Sequence, residues 1–318
     1  MLALCVKASH QQGMGHLYRM LNLIECLRER ALAHVVLVND YKPSLEILQQ
    51  RKIFHEVVPV DDLEGGWESQ VIETHRIKVW VNDRLDTDVA HAKRVNRAGV
   101  RLVTFDDHGS GAALSDLHFA GLTFEGSGCL KGGKVFSGIN YLVLNPEIER
   151  FKRHRSAAKR ILVTLGGTDT YGVTVDVVGM LEKLNREATV VLGPGFRNHE
   201  ALLERKRPGF LLMTAVPSLV EEFGRHDLAV TGGGVTPFEA NASGLPCLTI
   251  ASEPFEVEPC RFLEKLGTSI FLGHRNELNA LALESAIRRA PIGDMSSLGM
   301  ARIGTGGARN IVSEIEKL

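Results

Sequence analysis

The chain alternates, twice over, between apolar runs of strand length and amphipathic segments of helix length, and few folds accept that pattern. LALCVKA, a helix over about 16–30, HVVLVND, a helix near 43–51, FHEVVPV, KVWVND, a helix near 87–98 and VRLVTFDD follow one another down to residue 107. An apolar run that does not alternate with polar residues is buried on both faces, and strands separated by helices run parallel. A second series begins at RILVTLGG and continues through a helix over about 171–186, ATVVLGPG, a helix near 198–206, GFLLMTAV and a helix near 217–225. It ends with DLAVTGGG, a helix over 236–243, PCLTIAS, helices near 257–266 and 276–289, and a last helix in GARNIVSEIEKL. The pattern predicts an α/β protein of two Rossmann-like, doubly wound domains, 1–145 and 146–318, with the last helix packing back on the first domain. A glycine-rich stretch at 121–140 and a basic linker at 145–158 separate them. Ligands are expected in the cleft between two such halves, outside the carboxyl ends of the strands.

Charge and cysteine usage narrow the partners. Lys and Arg (37) balance Asp and Glu (38), so no overall field draws in nucleic acid or an anionic membrane. The longest apolar stretches, such as 210–220, contain proline and fall short of the roughly 18 residues that cross a bilayer. The N-terminus reads as a first buried strand rather than a signal peptide, and a cytoplasmic home is expected. Cys5, Cys26, Cys129, Cys247 and Cys260 show no C-x-x-C spacing, so neither a disulfide framework nor a zinc site is indicated and no metal or cofactor is expected.

Five strand ends carry residues suited to chemistry. After the first strand, Gly13 and Gly15 permit a tight turn and His16 opens a helix. The positive end of the helix dipole favours a neutral ring there, which suits a general base; the other reading is a histidine that caps or packs. Arg19, on the same helical face, either holds an anionic group or is a solvated charge. In TGGGVTPFE, the glycines Gly232, Gly233 and Gly234 precede a helix with Thr236 as a cap, Pro237 in its first turn and Glu239 one turn in. Bare backbone N–H groups at such a turn suit a phosphate, and a carboxylate at Glu239 suits the two hydroxyls of a ribose. A plain tight turn and a solvated Glu239 are the alternative. Gly166, Gly167 and Thr168 in LGGTD form a similar turn, either a second diphosphate contact or a structural turn with Asp169 as helix cap. Asp83, Asp106 and Asp107 end strands of the first half, where substrate contacts or turn duty both fit.

Taken in order, ASHQQGMGHLYRMLNLIECL, LVTLGGTDTYGVTVDVVGML, VVLGPGFRNHEALL and DLAVTGGGVTPFEANASGLPCLTI resemble the UDP-sugar hydrolases of the pseudaminic acid pathway, often labelled spore-coat polysaccharide enzymes. The resemblance covers nearly the whole chain. It implies the GT-B architecture, with the nucleotide held mainly by the second domain. It also implies that the histidine of a G-x-G-H-x-x-R motif, here Gly13, Gly15, His16 and Arg19, directs water at the nucleotide-linked sugar carbon. Two segments depart from the family pattern: Phe255 and Glu256 stand where an acidic or Asn-Gln pair is usual, and Asn82, Asp83 and Arg84 stand where Asp-His-Tyr is usual. Both are expected to face the sugar, with Asp83, Asp107 and Glu256 as contacts. The expected function is inverting hydrolysis of a UDP-sugar in nonulosonic acid or surface polysaccharide biosynthesis, His16 acting as base and N–H groups at 232–236 receiving the departing diphosphate. The alternatives are an inverting GT-B glycosyltransferase and a non-catalytic nucleotide-sugar-binding protein.

Overall fold

The computed structural model describes residues 1–9, 15–62, 64–124, 130–204, 209–214 and 216–318, so Gly13 and Cys129 lie outside the described residues. The chain divides into two compact units, one of residues 1–143 with 306–318 and one of residues 144–305.

The first unit runs β1 (Leu2–Val6), α1 (Gly15–Glu29), β2 (His34–Val38), α2 (Lys42–Gln50), β3 (His55–Val57), α3 (Trp67–His75), β4 (Val79–Asp83), α4 (Val89–Arg97), β5 (Arg101–Phe105), β6 (Leu117–Ala120) and β7 (Lys134–Ser137). Its sheet is parallel in the order β3-β2-β1-β4-β5-β6-β7. All five residues of β1 are buried, as a strand covered on both faces requires. Leu4 and Val6 join Leu17, Met20 and Ile24 of α1 on one face, while Ala3 and Cys5 join Trp80 and Val95 on the other. The strands β6 and β7 fall outside the expected alternation. LHFA and KVFS are too short and too polar to stand out as apolar runs, and β7 occupies an edge where burial is not required.

The second unit runs α5 (Ile148–Phe151), β8 (Ile161–Thr164), α6 (Val173–Lys183), β9 (Ala188–Leu192), α7 (His199–Glu204), β10 (Phe210–Thr214), α8 (Leu219–Arg225), β11 (Leu228–Gly232), α9 (Thr236–Ala242), β12 (Cys247–Ala251), α10 (Val257–Lys265), β13 (Ser269–His274), α11 (Ala280–Arg289) and α12 (Ile292–Arg302). Its parallel sheet has the order β10-β9-β8-β11-β12-β13. The chain then returns as α13 (Gly307–Ile315), whose Ile311, Val312 and Ile315 complete the first unit's core.

Residues 145–158 are not a free linker. Arg155 is 1% exposed, and its guanidinium donates to the carbonyls of Arg153 (2.7 Å), His226 (3.2 Å), Phe223 (2.5 Å) and Ser243. Phe223, His226 and Ser243 lie at the C-terminal ends of α8 and α9, where a cation is favoured. Burial and the neighbouring Arg153 lower the Arg155 pKa to about 9.

In each sheet the first strand has neighbours that lead in opposite directions: β1 lies between β2 and β4, and β8 between β9 and β11. The crevice beyond the carboxyl ends of such a strand pair is the ligand position of open α/β sheets. His16 and Asp83 stand at this point in the first unit, and the turns at 166–168 and 232–234 stand at it in the second.

Candidate functional site

His16 is the second residue of α1, and Asp83 ends β4 opposite Val6 of β1. The imidazole Nδ1 lies 2.5 Å from Asp83 Oδ1. An ionised carboxylate only accepts, so Nδ1 carries a proton, and in the neutral ring that leaves the lone pair on Nε2. Nε2 has no partner among the described residues, and the side chain remains 11% exposed. Arg19 donates through Nε to Asp83 Oδ2 (2.7 Å), through Nη2 to Asp83 Oδ1 and through Nη1 to Asp106 Oδ2. Burial alone would raise the Asp83 pKa, but Arg19 and His16 overcome it and hold the carboxyl at about 2. Two carboxylates around one guanidinium leave an unbalanced negative charge to meet the imidazolium formed when His16 takes a proton. A carboxylate rather than the helix end is therefore the dominant neighbour of the ring.

Four expectations for this unit change. Arg19 is not available to hold an anionic substrate group, because Asp83 and Asp106 take up its charge. Asp83 is fully buried, and its two oxygens are engaged by His16 and Arg19. Asp107, 1% exposed, uses Oδ1 to accept the amides of Thr87 (3.1 Å) and Gly109 (2.8 Å), pinning two loops together beneath the surface. Asn82 does not face a sugar. It accepts from Trp80 Nε1 and donates to Thr87 and His91, whose Nδ1 donates to Glu68. Successive strand residues point to opposite faces, so the side chain that precedes Asp83 belongs to the other side of the sheet. Arg84 is likewise buried, 2% exposed. Gly15, the first residue of α1, has ordinary backbone angles and open space beside it among the described residues.

In the second unit Gly166 has φ 89°, in the left-handed region that favours glycine, and the amide of Gly195 donates to the carbonyl of Gly167 (2.8 Å). The Thr168 hydroxyl lies 3.3 Å from that of Thr170. Gly172 takes the cap position of α6, and Asp169, three residues ahead of it, accepts the amides of Val173 (2.9 Å) and Thr174 (2.8 Å). Thr236 is not the cap of α9 but its first helical residue; Val235 takes the cap position without a side-chain bond, and Pro237 sits in the first turn. The amides of Gly234, Val235 and Thr236 have no acceptor among the described residues. Because α9 has seven residues, its end contributes little field of its own, and the value of the turn lies in its bare N–H groups.

Glu239 accepts the Asn145 amide at Oε1 (3.1 Å), and burial of its carboxyl pushes the pKa up to about 7 against that one bond. Its Oε2 has no partner among the described residues. Glu256, expected to face the sugar, instead folds back to accept the amides of Ser252 (2.7 Å) and Glu253 (3.3 Å), closing a capping box. Burial raises its pKa, with the Ser252, Glu253 and Gly233 amides opposing. Beside it Phe255 is 76% exposed. A Cβ added at Gly233 would lie 2.6 Å from Glu256 Cβ and 2.8 Å from Cys260 Sγ, so this glycine is required by close approach. Gly233→Ala is expected to cost about 1–3 kcal/mol of stability, read in denaturant melts; an unchanged midpoint would show that the loop yields freely.

The Tyr171 hydroxyl donates to Glu253 Oε1 (2.5 Å), and the Arg275 guanidinium lies 3.7 Å over the Tyr171 ring while its Nε donates to the Ser252 carbonyl (3.1 Å). Nothing in local spacing joins residues so far apart in the chain; only the strand order does. Among the described residues no group of three or more His, Cys, Asp or Glu is placed to hold a metal ion, and no helix is long and apolar enough to cross a membrane.

No family model matches the chain. The spore coat polysaccharide biosynthesis protein SpsG of Bacillus subtilis is 21% identical over 278 residues, which cover 83% of this chain and 81% of that protein. Among solved structures, a glycosyltransferase from Rickettsia africae matches with a TM-score of 0.66 at 15% identity, over 99% of this chain and 97% of that one. Anabaena HepE in complex with UDP matches with a TM-score of 0.68 at 14% identity, over 100% of both chains. With its parallel sheets of seven and six strands, the chain has the α/β GT-B fold.

Proposed function

We propose that the protein transfers a sugar from a UDP-activated donor to a hydroxyl group of an acceptor, with inversion at the anomeric carbon, in the assembly of a polysaccharide. The observation that carries this reading is the His16–Asp83 pair, with Nε2 unoccupied at the ligand position of the first sheet. In the proposed step the acceptor O–H gives its proton to His16 Nε2 as its oxygen bonds to the anomeric carbon. The bond from that carbon to the diphosphate breaks, and the electron pair leaves on UDP. Asp83 holds the ring in the accepting tautomer and stabilises the imidazolium. The turns at 166–168 and 232–234 receive the diphosphate through backbone N–H groups, and Glu239 takes the ribose hydroxyls.

The SpsG likeness supports polysaccharide assembly, HepE with UDP bound supports the nucleotide, and the glycosyltransferase neighbour favours transfer over the hydrolysis expected from sequence. Water in the acceptor position would turn the same groups into a hydrolase. Incubation with a panel of UDP-sugars, with and without sugar acceptors, separates the outcomes by product. UDP release that depends on acceptor and yields a glycosylated product supports transfer; free sugar without acceptor returns the hydrolase; nucleotide binding without turnover returns the binding protein.

Glu239 gives this reading a pH signature. As pH rises from 6 to 8 a carboxyl with its pKa at about 7 loses its proton, and the carboxylate accepts from ribose better than the acid does. UDP affinity is therefore expected to rise across that interval in the wild type and to rise less in Glu239→Gln, measured by calorimetry. Stability runs the other way. A carboxyl whose folded pKa lies above its unfolded value contributes most below the unfolded pKa, and that contribution is lost as pH passes about 7.

A further inference from the structure

Tyr171 follows the turn after β8, Ser252 and Glu253 follow β12, and Arg275 follows β13. In the order β8-β11-β12-β13 the strands before Tyr171 and Arg275 are the outer members of a row, and a strand spacing of about 4.8 Å puts β8 and β13 roughly 14 Å apart. The Tyr171–Arg275 contact therefore reaches across the ends of β11 and β12, past the turn that carries Gly232–Gly234. The loop on which Arg275 is anchored is the one packed against Gly233: Arg275 Nε donates to the Ser252 carbonyl, Ser252 donates its amide to Glu256, and Glu256 Cβ is what a methyl group at 233 would strike.

Arg275 is fixed without being neutralised. The ring of Tyr171 holds one face of the guanidinium, the Ser252 carbonyl holds Nε, and Glu253 and Glu256 fix the position of both. No carboxylate among the described residues pairs with Arg275, although Glu253 and Glu277 flank it; Glu253 is taken by Tyr171 and Glu277 by the His274 amide. The Nη1 and Nη2 groups have no partner among the described residues. A planar fork of free donors, held in place before any ligand arrives, matches the paired oxygens of a phosphate or a carboxylate.

We infer that Arg275 is a preset clamp for an anionic group of the ligand bound at the 232–234 turn, with Tyr171 and Glu253 as the positioning residues that aim it. The inference rests on the nucleotide-sugar reading of that turn. The anion is either the diphosphate or a carboxylate on the sugar, and titration calorimetry with uridine, UDP, UDP-glucose and UDP-glucuronic acid distinguishes them. Arg275→Gln is expected to weaken UDP by about 10-fold or more while leaving uridine unchanged, which assigns the clamp to the diphosphate. A loss confined to UDP-glucuronic acid supports the clamp and assigns it to the sugar. Tyr171→Leu, which removes both the stack and the hydroxyl that occupies Glu253, is expected to share the loss, whereas Tyr171→Phe keeps the stack but releases Glu253 and is expected to lose part of the affinity. If the wild type binds all four ligands and Arg275→Gln binds them equally well, the clamp is wrong and the reading of the turn survives. If the wild type binds none of them, the reading of the turn falls and the clamp falls with it.

Discussion

Alanine in place of His16 is expected to lower kcat by about 10²- to 10⁴-fold while leaving UDP affinity within a factor of about two, because the nucleotide contacts proposed here all lie on the other unit. Asp83→Asn is expected to lower kcat nearly as far. The amide presents both a donor and an acceptor to Nδ1 and no longer selects the tautomer with a free Nε2. It also leaves the buried Arg19 with Asp106 as its one carboxylate partner, so a fall in melting temperature should accompany the loss. The measurements are UDP release with acceptor, UDP calorimetry and a thermal melt on the same preparations. Unchanged turnover in His16→Ala would remove the base assignment. Lost turnover with intact UDP binding would remove the purely binding reading.

Arg155→Met is expected to cost about 3–5 kcal/mol of stability in the unit formed by 144–305. The buried guanidinium satisfies carbonyls of Arg153, Phe223, His226 and Ser243, and methionine offers none of them a donor. Lysine is expected to recover little, since one ammonium cannot match the spread of a planar fork. Ser243 and Phe223 belong to the ends of α9 and α8, so loosening them releases the helix whose other end carries Gly234 and Glu239. UDP affinity should fall with stability in this variant. Urea unfolding reads the first effect and calorimetry the second; a loss under about 1 kcal/mol would mean that the carbonyls find water instead.

What could be read in the sequence was whatever is local. The buried runs of β1, β5 and β11 mark both faces as covered, and the strand-turn-helix text around 166–172 and 232–239 carries its own punctuation. His16 and Arg19 declare themselves as one face of α1. What stayed hidden depends on register and on long-range pairing. Asp83 lies 67 residues from the imidazole it orients, and a shift of one place along β4 decides that Asp83 meets His16 while Asn82 enters the Trp80–His91–Glu68 network on the opposite face. Glu256 has the right residue type and the right loop for a ligand contact, yet the backbone of its own turn consumes its carboxylate. Arg155 looked like part of a solvated basic run because sequence shows its charge but not the carbonyls that surround it.

The return of α13 to the first unit has a further consequence. The first unit loses its contiguous chain at residue 143 and regains residues 306–318 only after the whole of the second unit has been spelled out. During synthesis the second unit can therefore close on itself while Leu17, Leu21 and Ile24 still lack the cover of Ile311 and Val312. The segment made first is thus completed last, and until α13 arrives that apolar flank of α1 stays uncovered.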